Sequence, residues 1–398
     1  MMEAYLDHAA TTPLRPESLA AMVPYLTEHY GNPSGSHSRA RRARMAIDEA
    51  RDEVARCLGC EPGEVVFTSG GTESDNLAVL GAPGSASGSG TGSGTGSGPT
   101  TAVCSAVEHH AVLNAVAARG GITVRVDRAG VVDLDALAEV LSPDVALVSV
   151  MLVNNEVGSV QPLAEVAALV RERAPGGLLH TDAVAAVGWL DVAGLGAVAD
   201  LVSVSGHKFG GPKGVGALVV RNGTTLAPVI HGGAQERGRR PGTHDVAGLV
   251  GMAAALKVAT DSRDETVARI GALRDRLTEG LTTSIANVGE SAPCAGVGEV
   301  DDGGVVKRVK IASSCHLRVD GVDQEELLML LDDEGVCASA GAACASGAIE
   351  PSHVLLAMGL SPVEARSGIR FSLGYTTTGD EIDHVLEVMP KVVERLRA

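Results

Sequence analysis

The chain has 398 residues, 45% of them apolar, so it is long enough to bury more than one hydrophobic core. A net charge of −17 and an aromatic content of only 2% disfavour a nucleic-acid-binding surface. No N-terminal signal segment and no apolar run of about 18 residues is present. We therefore expect a cytoplasmic protein without a membrane partner.

The first part of the chain predicts two helices followed by alternating strands and helices. Residues 70–76 open a further helix. The remaining helices of this part are predicted at 16–30, 38–58, 109–118, 133–141 and 162–173. Its strands are predicted at 65–69, 102–107, 122–126, 145–153, 177–182, 200–205 and, running back, 215–221. Apolar strands separated by helices indicate a mostly parallel central sheet with helices on both faces.

The last part of the chain has a different pattern. It predicts helical structure at 244–283, a strand at 307–319, a helix at 323–334, a loop of small residues at 335–347, a strand at 370–373 and a helix at 379–397. We therefore expect an α/β fold with a large domain at 16–258 and a smaller α+β domain formed by 1–15 and 259–398. Gly, Ser and Thr repeats at 81–100 indicate a flexible surface insertion.

The stretch Ser205-Gly206-His207-Lys208 follows an apolar strand and is the strongest chemical signal. An ammonium group at the end of a buried strand is costly to desolvate. Desolvation and nearby cations also lower the pKa of a lysine and make its amine a nucleophile that can form a Schiff base. We interpret Lys208 as the lysine that holds pyridoxal 5'-phosphate. A lysine whose amine simply reaches solvent is the structural alternative.

Other residues at strand ends fit the needs of the same cofactor. Asp182 is placed to pair with the pyridine nitrogen, and His109 to lie over the ring. Donors for the phosphate are expected from the start of a helix and from the residues around the lysine, namely Gly71, Thr72, Ser205 and His207. Arg370 can hold a substrate carboxylate with two parallel hydrogen bonds.

Each of these assignments has a structural alternative. Thr72 is also a suitable helix cap, and His109 and Asp182 are also ordinary residues for a helix start and a strand-end turn. No Cys and His spacing supports a zinc site, so no metal is predicted. The joint order of the residues along one series of strands and helices favours the cofactor site.

Six motifs in the same order resemble the cysteine desulfurases, enzymes of the class-V aminotransferase fold that depend on pyridoxal phosphate. The resemblance covers nearly the whole chain. The motifs are Tyr5-Leu6-Asp7-His8-Ala9-Ala10-Thr11-Thr12-Pro13, Phe67-Thr68-Ser69-Gly70-Gly71-Thr72-Glu73-Ser74-Asp75-Asn76, Val153-Asn154-Asn155-Glu156-Val157-Gly158, Ser205-Gly206-His207-Lys208, His231-Gly232-Gly233-Ala234-Gln235-Glu236-Arg237-Gly238 and Ile369-Arg370-Phe371-Ser372-Leu373-Gly374.

The resemblance implies fold type I of the pyridoxal-phosphate enzymes and a role for each matching residue. Lys208 would bind the cofactor, Asp182 would pair its nitrogen, and His109 would stack on the ring and move protons. Asn155 would lie near the phenolic oxygen and the substrate carboxylate. Thr243 would reach the phosphate of the neighbouring subunit, which implies a homodimer.

The nucleophile is implied by the small-residue loop around Cys344, which resembles the branch of the family in which a long loop carries the cysteine. A buried structural cysteine is the alternative, and Cys337 is the nearest rival. Cys57 and Cys60 have the spacing of a redox pair, but they lie at the end of a predicted helix that contains none of the motifs. The seven cysteines are odd in number and scattered, so no disulfide framework is expected.

The sequence departs from the family at three places. Ala185 replaces the usual glutamine, Pro241 replaces a serine, and the insertion at 81–100 is unusual. We predict a cysteine desulfurase that converts L-cysteine to L-alanine and passes sulfur from a persulfide to an acceptor protein, either an iron–sulfur scaffold or a thiolation enzyme. A selenocysteine lyase, another class-V enzyme, or a non-catalytic sulfur-assembly scaffold remain alternatives.

Overall fold

The computed structural model describes residues 3–84, 98–292, 310–341 and 351–398. Four predictions fall wholly or partly outside these ranges. They are the nucleophile Cys344, most of the insertion at 81–100, the start of the strand predicted at 307–319 and the end of the loop predicted at 335–347.

The described strands and helices are numbered here in chain order. The strands are β1 (Ala4–Tyr5), β2 (Val65–Thr68), β3 (Thr101–Ser105), β4 (Ile122–Val124), β5 (Val145–Ser149), β6 (Leu178–Asp182), β7 (Leu201–Ser205), β8 (Gly216–Val220), β9 (Val288–Glu290), β10 (Ser314–Val319), β11 (Val336–Cys337) and β12 (Gly368–Ser372). The helices are α1 (Pro16–Thr27), α2 (Ser38–Leu58), α3 (Gly71–Gly81), α4 (His110–Ala118), α5 (Leu134–Val140), α6 (Leu163–Arg173), α7 (Val192–Leu195), α8 (Val246–Asp261), α9 (Arg263–Ser284), α10 (Gln324–Asp333), α11 (His353–Ala357), α12 (Pro362–Ala365) and α13 (Gly379–Arg397).

Within the described residues, a sheet of seven strands in the order β2-β8-β7-β6-β5-β3-β4 forms the centre of the fold. Strands β7, β6, β5, β3 and β4 are parallel to one another. Strand β8 is antiparallel to both of its neighbours, so β2 again has the direction of β7. Valine and leucine are frequent in these strands, and all except the edge strand β4 are buried on both faces, as expected for a covered parallel sheet. The predicted α/β fold is therefore confirmed.

Apolar clusters cover both faces of this sheet. One cluster joins it to α2, α6 and α8, and a second joins it to α3 and α4. A separate cluster is built from α9, α10, α13 and the antiparallel sheet β12-β10-β9. Strand β1 pairs in parallel with β11, so the start of the chain is part of this smaller unit. Trp189 contacts the cores of both units.

Several predicted boundaries differ from the structure. The strand predicted to reach residue 153 ends at Ser149, although two later amides still donate to β6 carbonyl groups. The helical stretch at 244–283 is two helices that meet at Ser262. Strands β9 and β11 were not predicted, because three half-exposed residues and a two-residue strand give no alternating pattern. In the described ranges, no helix is both long and apolar enough to cross a lipid bilayer.

Candidate active site

The site lies at one edge of the central sheet, where the carboxyl ends of its parallel strands meet. Strand β6 ends at Asp182, and β7 ends at Ser205 shortly before Lys208. The loop after β3 carries His109, and the loop after β5 carries Asn155. Because these strands are neighbours in the sheet, their loops converge on one place.

A cavity of about 400 Å³ occupies this place. Nearly all of the predicted site residues line it, namely Gly71, Thr72, His109, Asn155, Asp182, Ser205, His207, Lys208 and Arg370. Thr243 does not line it and is exposed to solvent, and its role toward a neighbouring subunit stays a prediction. Cys344 lies outside the described residues.

The amine of Lys208 is held by the N-terminal segment. Its Nζ donates to the carbonyl oxygen of Ala9 and, at 3.0 Å, to that of Ala10. Both alanines line the cavity beside it. The lysine is therefore turned into the cavity and does not reach away to bulk solvent. Sequence reasoning quoted these two alanines within a motif but gave them no role.

Asp182 is fully buried and faces a second buried carboxyl group. Its Oδ1 accepts a hydrogen bond from the amide of Val184 at 2.8 Å. Burial raises the pKa of Asp182, while the amide of Val184 and the charge of Lys208 oppose the rise. Asp75 lines the same cavity, and burial together with the charge of Asp182 raises its pKa. Two buried carboxylates close together resist ionising at the same time, which favours the protonated form of Asp75.

A histidine packs behind these carboxyl groups in the sheet. His180 forms hydrogen bonds with Ser149 at 2.8 Å and with Ser203 at 2.9 Å, and its Nε2 is 3.6 Å from Asp75 Oδ1. Burial lowers the pKa of His180 to about 3, so the ring is neutral at physiological pH. Neither Asp75 nor His180 was predicted as a site residue. Each lies within a helix or strand among buried residues, and the sequence alone does not distinguish a buried site residue from a polar residue of the core.

His109 stands at the start of α4 and enters the cavity as a neutral ring. Its Nδ1 accepts a hydrogen bond from the amide of Ala111 at 3.1 Å, so the neutral ring carries its proton on Nε2. Burial and the nearby positive charge of Lys208 lower its pKa to about 4. His109 can therefore donate a hydrogen bond through Nε2 over the whole physiological pH range.

A second, more open cavity of about 380 Å³ adjoins the first. The start of α3 forms one wall, where Gly70 is the capping residue and no side chain occupies the first amides. A Cβ atom at Gly71 would lie 2.8 Å from Val184 Cγ2, so a side chain there would fill the wall. Lys213 adds a basic group at the other side, beside His207, whose pKa burial and the nearby lysines lower to about 4. Free helix amides and basic side chains favour a bound anion.

Arg370 is 2% exposed, and three acceptors hold its guanidinium group. Nη2 donates to Asp7 Oδ1 at 2.7 Å, and Nη1 donates to the carbonyl oxygens of Asn155 at 2.9 Å and Gly341 at 3.5 Å. Nε is buried and has no hydrogen-bond partner among the described residues. A buried N–H of this kind is costly, and Arg370 lines the cavity, so an acceptor group of a ligand that reached Nε would be stabilised.

These features fit pyridoxal 5'-phosphate. The larger cavity offers a lysine amine in its wall, a buried carboxyl group for a ring nitrogen and a neutral histidine. The adjoining cavity offers an anion pocket for the phosphate. Ala185 lines the larger cavity where the family has glutamine, so its methyl group donates no hydrogen bond to a ligand there.

The described cysteines lie away from both cavities. Burial raises the pKa of Cys57 and of Cys60 to about 11, which opposes the thiolate that a redox pair needs. Burial also raises the pKa of Cys337, the predicted rival nucleophile. Within the described residues, no group of three or more His, Cys, Asp or Glu side chains is arranged to hold a metal ion.

Comparison with known proteins gives consistent matches over the full length. The model of the family described as aminotransferase class-V matches residues 4–385. The chain is 43% identical to an IscS-like cysteine desulfurase of Mycobacterium tuberculosis, over 99% of this chain and 97% of that protein. It is 42% identical to a cysteine desulfurase of Cereibacter sphaeroides, over 100% of this chain and 97% of that protein.

Solved structures agree with the sequence matches. A NifS-like protein superposes with a TM-score of 0.85 and 31% identity, covering 99% of this chain and 100% of its own. SspA in complex with cysteine superposes with a TM-score of 0.75 and 29% identity, covering 95% of this chain and 100% of its own. The similarity therefore extends over the central sheet and the smaller unit of the fold.

Proposed function

The chain belongs to the class-V aminotransferase family, and we infer that it is a cysteine desulfurase, which takes sulfur from L-cysteine and leaves L-alanine. The observation that carries this conclusion is the identity of 42–43% to two cysteine desulfurases along 99–100% of the chain. The convergence of Lys208, Asp182 and Arg370 on one cavity supports it from the structure.

We propose that pyridoxal 5'-phosphate is the cofactor, held by Lys208 through its amine and by Asp182 at the ring nitrogen. When bound, this group supplies an electron sink for the amino-acid carbon. The anion pocket at the start of α3 would take the phosphate through Thr72, Ser205 and His207. The cavity of about 400 Å³ lies within the size range of small-molecule sites and supports this assignment.

Lys208, Asp182 and His109 are proposed to have different roles, which follow from their charge states. The amine of Lys208 accepts and returns the α-proton of cysteine when it is not bonded to the cofactor. Asp182 would carry a negative charge opposite the ring nitrogen. A protonated Asp75 beside it brings no second negative charge that would oppose the ionisation of Asp182. His109 donates through Nε2 and shields the cavity from water.

Arg370 and Asn155 are proposed to hold the substrate carboxylate. Nε of Arg370, which has no hydrogen-bond partner among the described residues, and Nη2 would together offer a fork to two carboxylate oxygens. Asp7 accepts a hydrogen bond from Nη2 and helps to fix the guanidinium group. Cysteine would therefore enter with its carboxylate directed at the smaller unit of the fold.

The sulfur step is proposed to take place at Cys344. Its thiolate attacks the sulfur atom of the substrate, so an S–S bond forms as the C–S bond breaks. The electron pair of the broken bond stays with the substrate carbon, which then takes a proton and becomes the methyl group of alanine. A persulfide is left on Cys344, and an acceptor protein, either an iron–sulfur scaffold or a thiolation enzyme, takes its outer sulfur.

We propose that the enzyme works as a homodimer. Thr243 is exposed and would complete the phosphate pocket of a partner subunit. Leu19, Val23, Leu26 and Tyr30 are 45–67% exposed and follow one another at helical spacing along α1 and just beyond it. An apolar stripe of this kind supports a covered surface. We place the reaction in the cytoplasm, because the five cysteines in the described part of the chain are free thiols.

The experiment that tests this function measures sulfide and alanine from L-cysteine with added pyridoxal phosphate and a reductant. Cys344→Ser should retain the cofactor but release no sulfide, while Cys337→Ser, the matched control, should remain active. Lys208→Ala should lose both the covalently bound cofactor and turnover. Undiminished sulfide release by Cys344→Ser would refute its role, and faster turnover of selenocysteine than of cysteine by the parent would favour a selenocysteine lyase.

A further inference from the structure

A carboxylate stands inside the pocket that we assign to the cofactor phosphate, and the inference drawn from it rests on that proposed function. Glu73 lies in the first turn of α3, whose amides form the pocket wall. It lines the cavity together with the basic residues His207 and Lys213. A phosphate brings close to two negative charges into this pocket. An unmasked Glu73 would therefore oppose the ligand that the rest of the pocket favours.

An arginine from a distant part of the chain binds this carboxylate on both oxygens. Arg240 Nε is 2.8 Å from Glu73 Oε1, and Arg240 Nη2 is 3.3 Å from Glu73 Oε2. The amide of Ser69 donates to the same Oε2 at 2.7 Å. The side chains of Arg240 and Glu73 are 22% and 15% exposed, so water screens the pair only in part.

The carboxylate is ionised when it is paired. Burial raises the pKa of Glu73, but the hydrogen bonds from Arg240 and Ser69 outweigh burial and lower the pKa below its usual value. The site thus contains a full negative charge at neutral pH, and Arg240 supplies the matching positive charge. His207 is neutral here because burial and the nearby lysines lower its pKa to about 4. Among the described residues, the other lysine and arginine side chains that line the two cavities are Lys208, Lys213 and Arg370.

We propose that Arg240 is a positioning residue of the phosphate pocket, which masks the charge of Glu73 and so makes the start of α3 able to accept a phosphate. Arg240 lies in the segment that ends at the exposed Thr243. The ion pair therefore also ties this segment to the pocket wall. The ion pair between Arg240 and Glu73 thus connects the phosphate pocket of one subunit to its own Thr243 segment, which we propose contacts the phosphate of the partner subunit.

Four variants test this proposal in the full-length chain freed of cofactor, namely Arg240→Gln, Arg240→Lys, Glu73→Gln and the double variant Arg240→Gln/Glu73→Gln. The probes are pyridoxal 5'-phosphate and pyridoxal, which lacks the phosphate. Binding is followed by quenching of the fluorescence of Trp189, the single tryptophan of the chain. The two probes share every contact except those of the phosphate, so pyridoxal is the matched control.

Arg240→Gln should bind pyridoxal 5'-phosphate about ten-fold more weakly or worse, because the bare carboxylate then faces the phosphate. Its affinity for pyridoxal should change less than about two-fold. Glu73→Gln should bind the phosphorylated probe at least as well as the parent, and the double variant should recover to the level of Glu73→Gln. Arg240→Lys, which keeps the charge, should lie between the parent and Arg240→Gln and remains informative if Arg240→Gln fails to fold.

Two results would overturn the masking role. One is parent-like binding of pyridoxal 5'-phosphate by both Arg240 variants. The other is a double variant as weak as Arg240→Gln, which would mean that Arg240 contacts the phosphate itself. If the parent bound neither probe, the proposed cofactor site would fail as a whole, so the two kinds of failure are distinguishable.

Discussion

Glu236 anchors the segment that presents Thr243, and replacing it by glutamine gives a sharp test of the electrostatics around the site. Its carboxylate accepts two hydrogen bonds from Arg51, one from His244 at 2.6 Å and one from the amide of Phe67 at 3.0 Å. The side chain of Glu236 is 1% exposed. These contacts hold Glu236 and Arg237 at φ angles of 47° and 58°, in the left-handed region that such residues rarely adopt.

The magnitude follows from the pKa of this carboxyl group. Burial alone would raise it, but the hydrogen bonds from His244, Arg51 and the amide of Phe67, together with the charge of Arg51, lower it from 4.5 to about 2. At about 1.36 kcal/mol for each pKa unit, ionised Glu236 stabilises the fold by about 3 kcal/mol at neutral pH. Breaking a buried ion pair by removing one partner has a cost of the same size, roughly 3–5 kcal/mol.

The assay is unfolding in urea followed by the fluorescence of Trp189. Glu236→Gln should lower the free energy of unfolding by about 3 kcal/mol at pH 7. The group has a depressed folded pKa, so its contribution is complete above pH 4.5 and is lost as the pH falls toward 2. The difference between parent and variant should therefore shrink over that range. Hydrogen exchange of the Phe67 amide should speed up in the variant at pH 7.

The matched control is Glu53→Gln, which removes a half-buried partner of the half-exposed Arg56. It should change stability by less than about 1 kcal/mol. The reasoning would be refuted if Glu236→Gln were as stable as this control at pH 7. A loss that stayed constant down to pH 2 would also contradict it, because the stabilisation would then not come from the ionised carboxylate.

Three further predictions concern the site and the proposed dimer. Asp182→Asn should raise the melting temperature of the cofactor-free chain at pH 7, because burial raises the pKa of Asp182 and its ionised form therefore destabilises the fold. This gain in melting temperature should vanish below about pH 4, where the carboxyl group of the parent is protonated in both states. Added cofactor should raise the melting temperature of the variant less than that of the parent. Arg370→Lys keeps a positive charge but loses the fork, so the KM for L-cysteine in the sulfide assay should rise about ten-fold or more, with kcat changed less. Leu26→Asp should give a monomer by light scattering, whereas Met329→Asp, on an equally exposed side chain, should not.

The sequence predicted the fold and the family because those properties depend on local patterns. The alternation of apolar strands with helices is readable in sequence, and α2 begins and ends at the predicted residues. Gly59 ends that helix in the left-handed conformation at φ 63°, a position that favours glycine. Lys208 and Asp182 were placed together because the ends of neighbouring parallel strands share one edge of a sheet.

Contacts between distant parts of the chain were beyond such reasoning. Asp7 meets Arg370 across 363 positions, and the carbonyl groups that hold Lys208 lie nearly 200 positions before it. No spacing rule connects residues so far apart. Glu236 was missed for another reason, since a left-handed glutamate has no sequence signal and is stabilised only by its tertiary partners.

The pairing of β1 with β11 has a consequence for how the protein is made. Residues 4 and 5 are synthesised more than 300 positions before their strand partners, residues 336 and 337, and Asp7 bridges to Ser372. The carbonyl oxygens that orient the reactive amine lie in this same early segment. A nascent chain consequently cannot fix this segment beside Lys208 in the way seen here until residues 336, 337 and 372 have been made, so products that stop before them should be inactive in the sulfide assay.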